Sequence, residues 1–219
     1  MHKIFVTEGL VLVKRGAGEA NTTVALFTKE LGLIRASARS ARLAKSKLRY
    51  GLETLTQARF SLVRGRYEWK LVGVEGPERA LLVLPKNSEN AETEGAEQGS
   101  FTHTQRRASL ARITKLLLRL IHGEESVPEL YALVTDGLTH LARAESQKDA
   151  ESIECVLVLR VLANLGYLPQ TTELAPFMPN PSAGPPVGGF FSLELADEVA
   201  RSRPFLIRTI NESLTATGL

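Results

Sequence analysis

The sequence predicts an α+β chain of more than one domain, with a small five-stranded closed β-barrel first and an all-helical domain after it. Three observations carry this. Five short runs rich in Val, Ile, Leu and Phe, separated by turn signals, fill about the first 75 residues with no long helical pattern among them. Near Pro85 the composition turns abruptly polar, and beyond it leucines recur at spacings of three and four. Strands so short and so many are better satisfied by closing on themselves than by an open sheet with unpaired edges.

The first strand runs from Ile4 to Val13 and is expected to stop at Gly16-Ala17-Gly18. Thr22 to Thr28 is β-branched and aromatic, and Lys29-Glu30-Leu31-Gly32 turns it into a third strand, Leu33 to Ala38. A helical turn is expected at Leu48 to Leu52. Thr54 to Val63 and Tyr67 to Val74 then form a second hairpin around Arg64-Gly65-Arg66. Residues 1–82 therefore make the barrel domain. Residues 83–100, with four glutamates and almost no apolar side chain, read as an acidic polar linker, and residues 101–219 as the helical domain. Its helices are expected over Thr104 to His122, Val127-Pro128 to Ala144, and Ala150 to Leu165, the last ended by Gly166. Five prolines and three glycines make 176–189 a loop. A short helix near Ser192 to Ala200 and a last one from Pro204 to about Thr215 complete the chain, with proline placed at a helix start.

Charge is unevenly divided. Residues 1–79 hold 15 Lys and Arg against 7 Asp and Glu, whereas residues 80–219 hold 12 against 17. The densest run leaves the third strand: Arg35, Arg39, Arg42, Lys45, Lys47 and Arg49 place six cations in fifteen residues with no acid among them. Like charges this close stay together when solvated or when an anion neutralises them, and a nucleic-acid backbone is the commonest such anion. Arg64 and Arg66 add a second cationic rim. Tyr67 and Trp69, two apart on a strand, are expected on one face, where they either stack bases or fill the barrel.

Other chemistry finds no support in the residues. His2, His103, His122 and His140 lack ligand spacing, and the lone Cys155 sits in an apolar helix, so no metal site, internal disulfide or reactive thiol is expected. Gly16-Ala17-Gly18 lacks the rest of a dinucleotide fingerprint, and Asp136, Asp149 and Asp197 do not form paired carboxylates. Glu124 and Glu125, between two helices, read as loop and helix-start acids. The chain is expected to be no enzyme and to bind no cofactor. With no apolar run near the roughly 20 residues a membrane span needs, it is expected in the cytoplasm, away from membranes.

Several stretches together resemble the bacterial recombination mediator family RecO. They are Gly9-Leu10-Val11-Leu12, Gly18-Glu19-Ala20-Asn21, the run from Leu26 to Arg35, Ala38-Arg39-Ser40-Ala41-Arg42, Lys45-Ser46 with Leu48-Arg49, and Arg64-Gly65-Arg66. Leu162 to Pro169 adds a weaker match in the helical part. The resemblance implies an oligonucleotide-binding (OB) barrel fused to an all-α domain. It also implies a nucleoid-associated protein of recombinational DNA repair that binds single- and double-stranded DNA. Such a protein anneals complementary strands and helps load the recombinase together with RecR. Ser40 stands where relatives commonly have glycine and Asn21 where they have aspartate. No cysteine follows Pro169, so the chain resembles the zinc-free branch. The resemblance further implies a site for the acidic carboxyl tail of single-strand DNA-binding protein. Arg112, Lys115, Leu116 and Arg119 on the first long helix offer cations beside apolar side chains for it, although an amphipathic helix with a buried leucine face shows the same pattern. A second class of reading stays open, a generic barrel adaptor for RNA or an acidic protein partner.

Overall fold

The computed structural model describes residues 3–77, 103–169, 171–178, 192–216 and 218. The expected linker 83–100 and most of the expected loop 176–189 lie outside them. The chain divides into two compact units, Met1–Thr93 with Leu117–Tyr131 and Glu94–Leu116 with Ala132–Leu219. Each is described by itself.

The first unit is a closed five-stranded barrel, built from β1 (Ile4–Ala17), β2 (Asn21–Thr28), β3 (Gly32–Ala38), β4 (Gln57–Arg64) and β5 (Trp69–Glu75). Its strand order is β1-β2-β3-β5-β4, with β3 and β5 parallel and the other neighbours antiparallel. The long β1 makes closure possible. Its first half pairs with β4, from Ile4↔Val63 to Leu10↔Gln57, and its second half with β2, across a bulge between Val11 and Val13. A bulge adds a residue and strengthens the local twist, which bends one strand into two walls. The sequence expectation that β1 ends at Val13 is corrected here. Gly16 and Ala17 stay in the strand, paired with Thr22 and Asn21, and the turn needs only Gly18, whose φ is +69°.

Alternating residues of every strand fill the barrel. Val24 and Leu26 from β2, Ile34 and Ala36 from β3, Phe60 and Leu62 from β4, and Trp69 and Leu71 from β5 form one core with Val11 and Leu52. Leu52 comes from a 3-10 turn at Arg49–Leu52, close to the expected helical turn.

Leu117–Tyr131 packs with this barrel. Gly32, at φ +63°, lies so near it that a Cβ would stand 2.4 Å from the Glu125 carbonyl oxygen. Leu33 N–H donates to Gly123 O at 3.2 Å and Ser126 Oγ to Lys29 O at 3.3 Å. On the outer face of β2, Phe27 is fully buried, its ring 5.6 Å from that of Tyr131.

The second unit is all-α among its described residues. It holds helix α1 (His103–Leu120) up to Leu116, α2 (Pro128–Arg143) from Ala132, α3 (Gln147–Asn164) and α4 (Leu193–Ala216). Helix α3 is central, with Ile153, Val156, Leu157, Leu159 and Leu162 all buried, the pattern of a helix packed on several faces. Ser146 caps it, accepting from Asp149 N–H at 3.1 Å. At its far end Gly166 N–H bonds Ala163 O and Tyr167 N–H bonds Leu162 O, the paired bonds that a left-handed glycine permits. Helix α2 approaches α3 closely at Gly137, where a Cβ would stand 2.6 Å from Leu157 Cδ1.

The last helix corrects the sequence reading. One helix, not two, spans Leu193–Ala216, with Pro204 inside it. Ala196, Val199, Leu206 and Ile210 are buried along one continuous stripe. An interior proline costs about 3 kcal/mol, whereas each buried Val, Leu or Ile contributes about 1.5–3 kcal/mol. Burial on both sides of Pro204 therefore outweighs the one lost hydrogen bond.

Candidate nucleic-acid interface

Strand register decides which cations share the outside of the barrel. Arg15 pairs with Thr23, Thr23 with Ser37, and Ser37 with Lys70. Directly opposed residues project to one face, so Arg15, Thr23, Ser37 and Lys70 form a row across β1, β2, β3 and β5, opposite the core residues. Arg35 lies one row along, opposite Ala25. Arg15, Arg35 and Lys70 are exposed. Sequence reasoning found Arg35 but missed Arg15 and Lys70. Neither belongs to a charged run, and only the pairing register brings them beside it.

The basic run continues this face. Residues after Ala38 fold into successive tight turns, with Leu43 N–H bonded to Ser40 O, Ser46 to Leu43, Arg49 to Ser46 and Gly51 to Leu48. Its start is tied to the β1–β2 turn. Arg42 N–H donates to Ala20 O at 3.0 Å and Arg42 Nη1 to Gly18 O at 2.8 Å. Ser40 is left-handed, φ +55°, a conformation that costs a non-glycine residue energy, and its N–H donates to Asn21 Oδ1 at 3.0 Å. Ser40 and Asn21 thus touch each other, with the Asn21 amide oxygen as the acceptor. Arg39, Arg42, Lys45, Lys47 and Arg49 are all exposed. Among the described residues, none of these five, nor Arg35, has an acid within ion-pair distance.

The β4–β5 tip is more divided than its sequence suggests. Tyr67 is 86% exposed, with the Arg66 guanidinium 5.1 Å from its ring centre. Trp69 is only 4% exposed, part of the barrel core and edge-on to Phe5 at 5.2 Å. The two rings do not share a face, because Tyr67 precedes the strand that begins at Trp69. Arg64 lies over the Trp69 ring at 4.8 Å and is ion-paired with Glu124. Glu124 lies in the loop between α1 and α2, as expected, and there it holds both Arg64 and Trp69 of this tip.

On α1, Arg112 is engaged within its own unit, with Nε and Nη2 donating to the two carboxylate oxygens of Glu154 at 2.8 and 2.6 Å. The Glu154 hydrogen bond raises the Arg112 pKa above its usual value. Lys115 and Arg119 are exposed and Leu116 is half-buried, while Leu110, Ile113, Leu117 and Leu120 are buried. Among the described residues no three His, Cys, Asp or Glu side chains gather to hold a metal, and no helix is long and apolar enough to cross a membrane.

The class is set by the barrel order and its parallel β3–β5 closure: this is an OB-fold barrel with a cationic outer face, followed in the chain by an all-α region. The family description "Recombination protein O N terminal" matches residues 1–72, and "Recombination protein O C terminal" matches residues 104–175. The chain belongs to the RecO family. It is 26% identical over 196 residues to the DNA repair protein RecO of Heliobacterium modesticaldum, covering 85% of this chain and 64% of the relative. It is 30% identical over 176 residues to the protein of that name from Gloeothece citriformis, covering 79% and 55%. A barrel-region match of 62 residues to the Dehalococcoides mccartyi protein of that name reaches 42%, covering 28% of this chain and 24% of that one. The chain therefore spans about 55 to 64% of the first two relatives' length.

Proposed function

We propose that this chain is a non-enzymatic DNA-binding mediator of recombinational repair, engaging single- and double-stranded DNA through the barrel's cationic face and annealing complementary strands. The observation that carries the reading is the adjacency of Arg15, Arg35 and Lys70 on one barrel face to a tied loop of five exposed cations without acid partners among the described residues. Phosphate neutralisation without base readout suits annealing, which must bring two polyanions together whatever their sequence. The relatives, named as DNA repair proteins, support DNA as the polyanion. Partnership with RecR and with the tail of single-strand DNA-binding protein, a zinc-independent fold, and a cytoplasmic, nucleoid-associated place belong to the same proposal.

The test is annealing of complementary oligonucleotides coated with single-strand DNA-binding protein, using wild type and an Arg39→Ala, Arg42→Ala, Lys45→Ala variant. Wild type accelerates annealing and the variant does not. Single-strand binding by the variant loses about 0.7 log units of salt slope for each phosphate contact removed. No acceleration by wild type, with tight binding to RNA or an acidic protein, would favour the adaptor reading.

A further inference from the structure

Beneath the basic loop lies a pocket lined by Lys14, Thr22, Arg42, Arg49, Leu52 and Glu53, among others. Its strand residues Lys14 and Thr22 lie on the side of β1 and β2 that carries the core residue Val24, opposite the row of Arg15 and Lys70. Leu52 and Thr22 are fully buried, so they close its floor, while the three cations and the acid stand around it. Lys14 Nζ sits 2.7 Å from Glu53 Oε1, and these two charges cancel. Arg42 and Arg49 have no acid partner among the described residues, which leaves the pocket with two uncompensated positive charges.

Arg42 is held in place. Its backbone N–H and its Nη1 are both bonded to the β1–β2 turn, at Ala20 O and Gly18 O. Its guanidinium lies so close over β1 that a Cβ on Gly16 would stand 3.4 Å from Nη1. One donor of the guanidinium is thus spent on a carbonyl, and no side-chain hydrogen bond among the described residues takes up the others. A preoriented fork loses less entropy on binding than a free side chain does, and its geometry matches phosphate oxygens. An internal phosphodiester carries one negative charge, whereas a phosphate monoester carries nearly two at neutral pH.

We propose that this pocket holds a phosphate monoester, the terminal phosphate of a nucleic-acid strand, on Arg42 and Arg49. The inference rests on the nucleic-acid reading above for its strand, but a free nucleoside monophosphate offers the same chemistry. The loop then has two tasks. Its outer cations follow the backbone, and the pocket distinguishes a phosphorylated strand end from the backbone beside it.

The experiment compares the full chain's affinity for one oligonucleotide carrying a 5′-phosphate, a 3′-phosphate or hydroxyls at both ends. In parallel, amide shifts are followed on titration with deoxyadenosine monophosphate and with deoxyadenosine. A phosphorylated end binds about tenfold more tightly than the hydroxyl form, the size of one charge-assisted contact. Arg49→Ala brings that ratio close to one, while Arg39→Ala weakens every strand and preserves the ratio. Deoxyadenosine monophosphate shifts Gly16 and Thr22, and deoxyadenosine does not. Equal affinity for all three strands overturns the pocket and leaves the DNA reading standing. If no strand binds, the DNA reading fails and the monophosphate titration decides the pocket: no shift at Gly16 and Thr22 overturns it.

Discussion

Trp69 Nε1 donates a hydrogen bond to Glu124 Oε1 at 3.2 Å, so a core residue of the barrel is secured by an acid from the segment that follows α1. The same carboxylate pairs with Arg64, whose guanidinium lies over the indole. Trp69 is therefore an anchor of the barrel end, and of the two rings Tyr67 is the exposed one. Tyr67→Ala is expected to weaken single-strand binding by about 1–3 kcal/mol, the usual worth of one stacked base. Trp69→Phe is expected to lower stability by about 1–3 kcal/mol, since Glu124 loses a partner, and to leave single-strand affinity within about twofold of wild type. Thermal melts and anisotropy titrations on both variants separate the roles. A large affinity loss in Trp69→Phe with unchanged melting would put Trp69 back at the bases.

Glu124 also sets how much of Arg64 a phosphate can reach. Glu124→Gln keeps an oxygen to accept from Trp69 Nε1 but removes the charge that neutralises Arg64. The variant is expected to fold normally and to bind single strands more tightly at low salt. Its salt slope steepens by about 0.7, one added phosphate contact. An unchanged slope in a folded variant shows that Arg64 faces away from the DNA.

The two hairpins could be anticipated from their turn signals and closure from the shortage of covered edges, whereas the strand order with its parallel β3–β5 pairing could not. Nor could register be read. Arg15 and Lys70 join Arg35 only through pairings among β1, β2, β3 and β5, and no local pattern announces those pairings. That Trp69 fills the barrel was one of the two alternatives open in the sequence; what could not be read is that Tyr67 does not share its face, because this depends on where β5 begins. Pro204 misled for a related reason: a local helix-start preference lost to a buried stripe on both sides of it. Glu124 was legible as a loop or helix-start acid but its partners were not, because they lie 60 and 55 residues away in sequence.

Cys155 is buried, and burial pushes its thiol up to about 11 from the ordinary 9.0. In the native protein it is expected to react with a thiol reagent far more slowly at pH 8 than in denaturant. The sign of the linkage follows from the raised value. The thiol's contribution to stability is complete below pH 9 and is lost as pH rises towards 11, because only the unfolded chain ionises readily in that range. Cys155→Ala is expected to remove this part of the alkaline destabilisation. Fast native labelling at pH 8 would show that the thiol is open to solvent.

Arg160 is a buried cation whose Nε donates to Phe177 O at 2.8 Å. Burial lowers its pKa below the usual value, and Asp136 partly offsets this. The bond ties the 3-10 turn Ala175–Phe177 to α3. Arg160→Ala leaves a carbonyl without its donor and a void where the guanidinium lay, an expected loss of about 2–4 kcal/mol. Hydrogen exchange is expected to rise first at Phe177 and Met178, whose amides close that turn. Uniform protection in the variant would mean that other contacts hold the turn.

The cations of α1 divide by what they already hold. Arg112 forks onto Glu154 and also donates to Ser109 Oγ at 2.8 Å, so its removal acts first on the helical unit. Arg112→Ala is expected to cost about 0.5–1 kcal/mol, the range for a well-formed pair that is partly exposed. Lys115 has no acid within ion-pair distance among the described residues, and Leu116 beside it is half-buried. If an acidic, hydrophobic-ended tail peptide binds this helix, Lys115 is therefore a cation, as is the exposed Arg119, that it meets without first breaking an ion pair among the described residues. Titrating such a labelled peptide at low and moderate salt tests this directly. Lys115→Ala is expected to weaken binding several-fold with melting unchanged, whereas Arg112→Ala lowers melting and changes affinity little. Wild-type affinity in a variant lacking both Lys115 and the exposed Arg119 would take the peptide off α1.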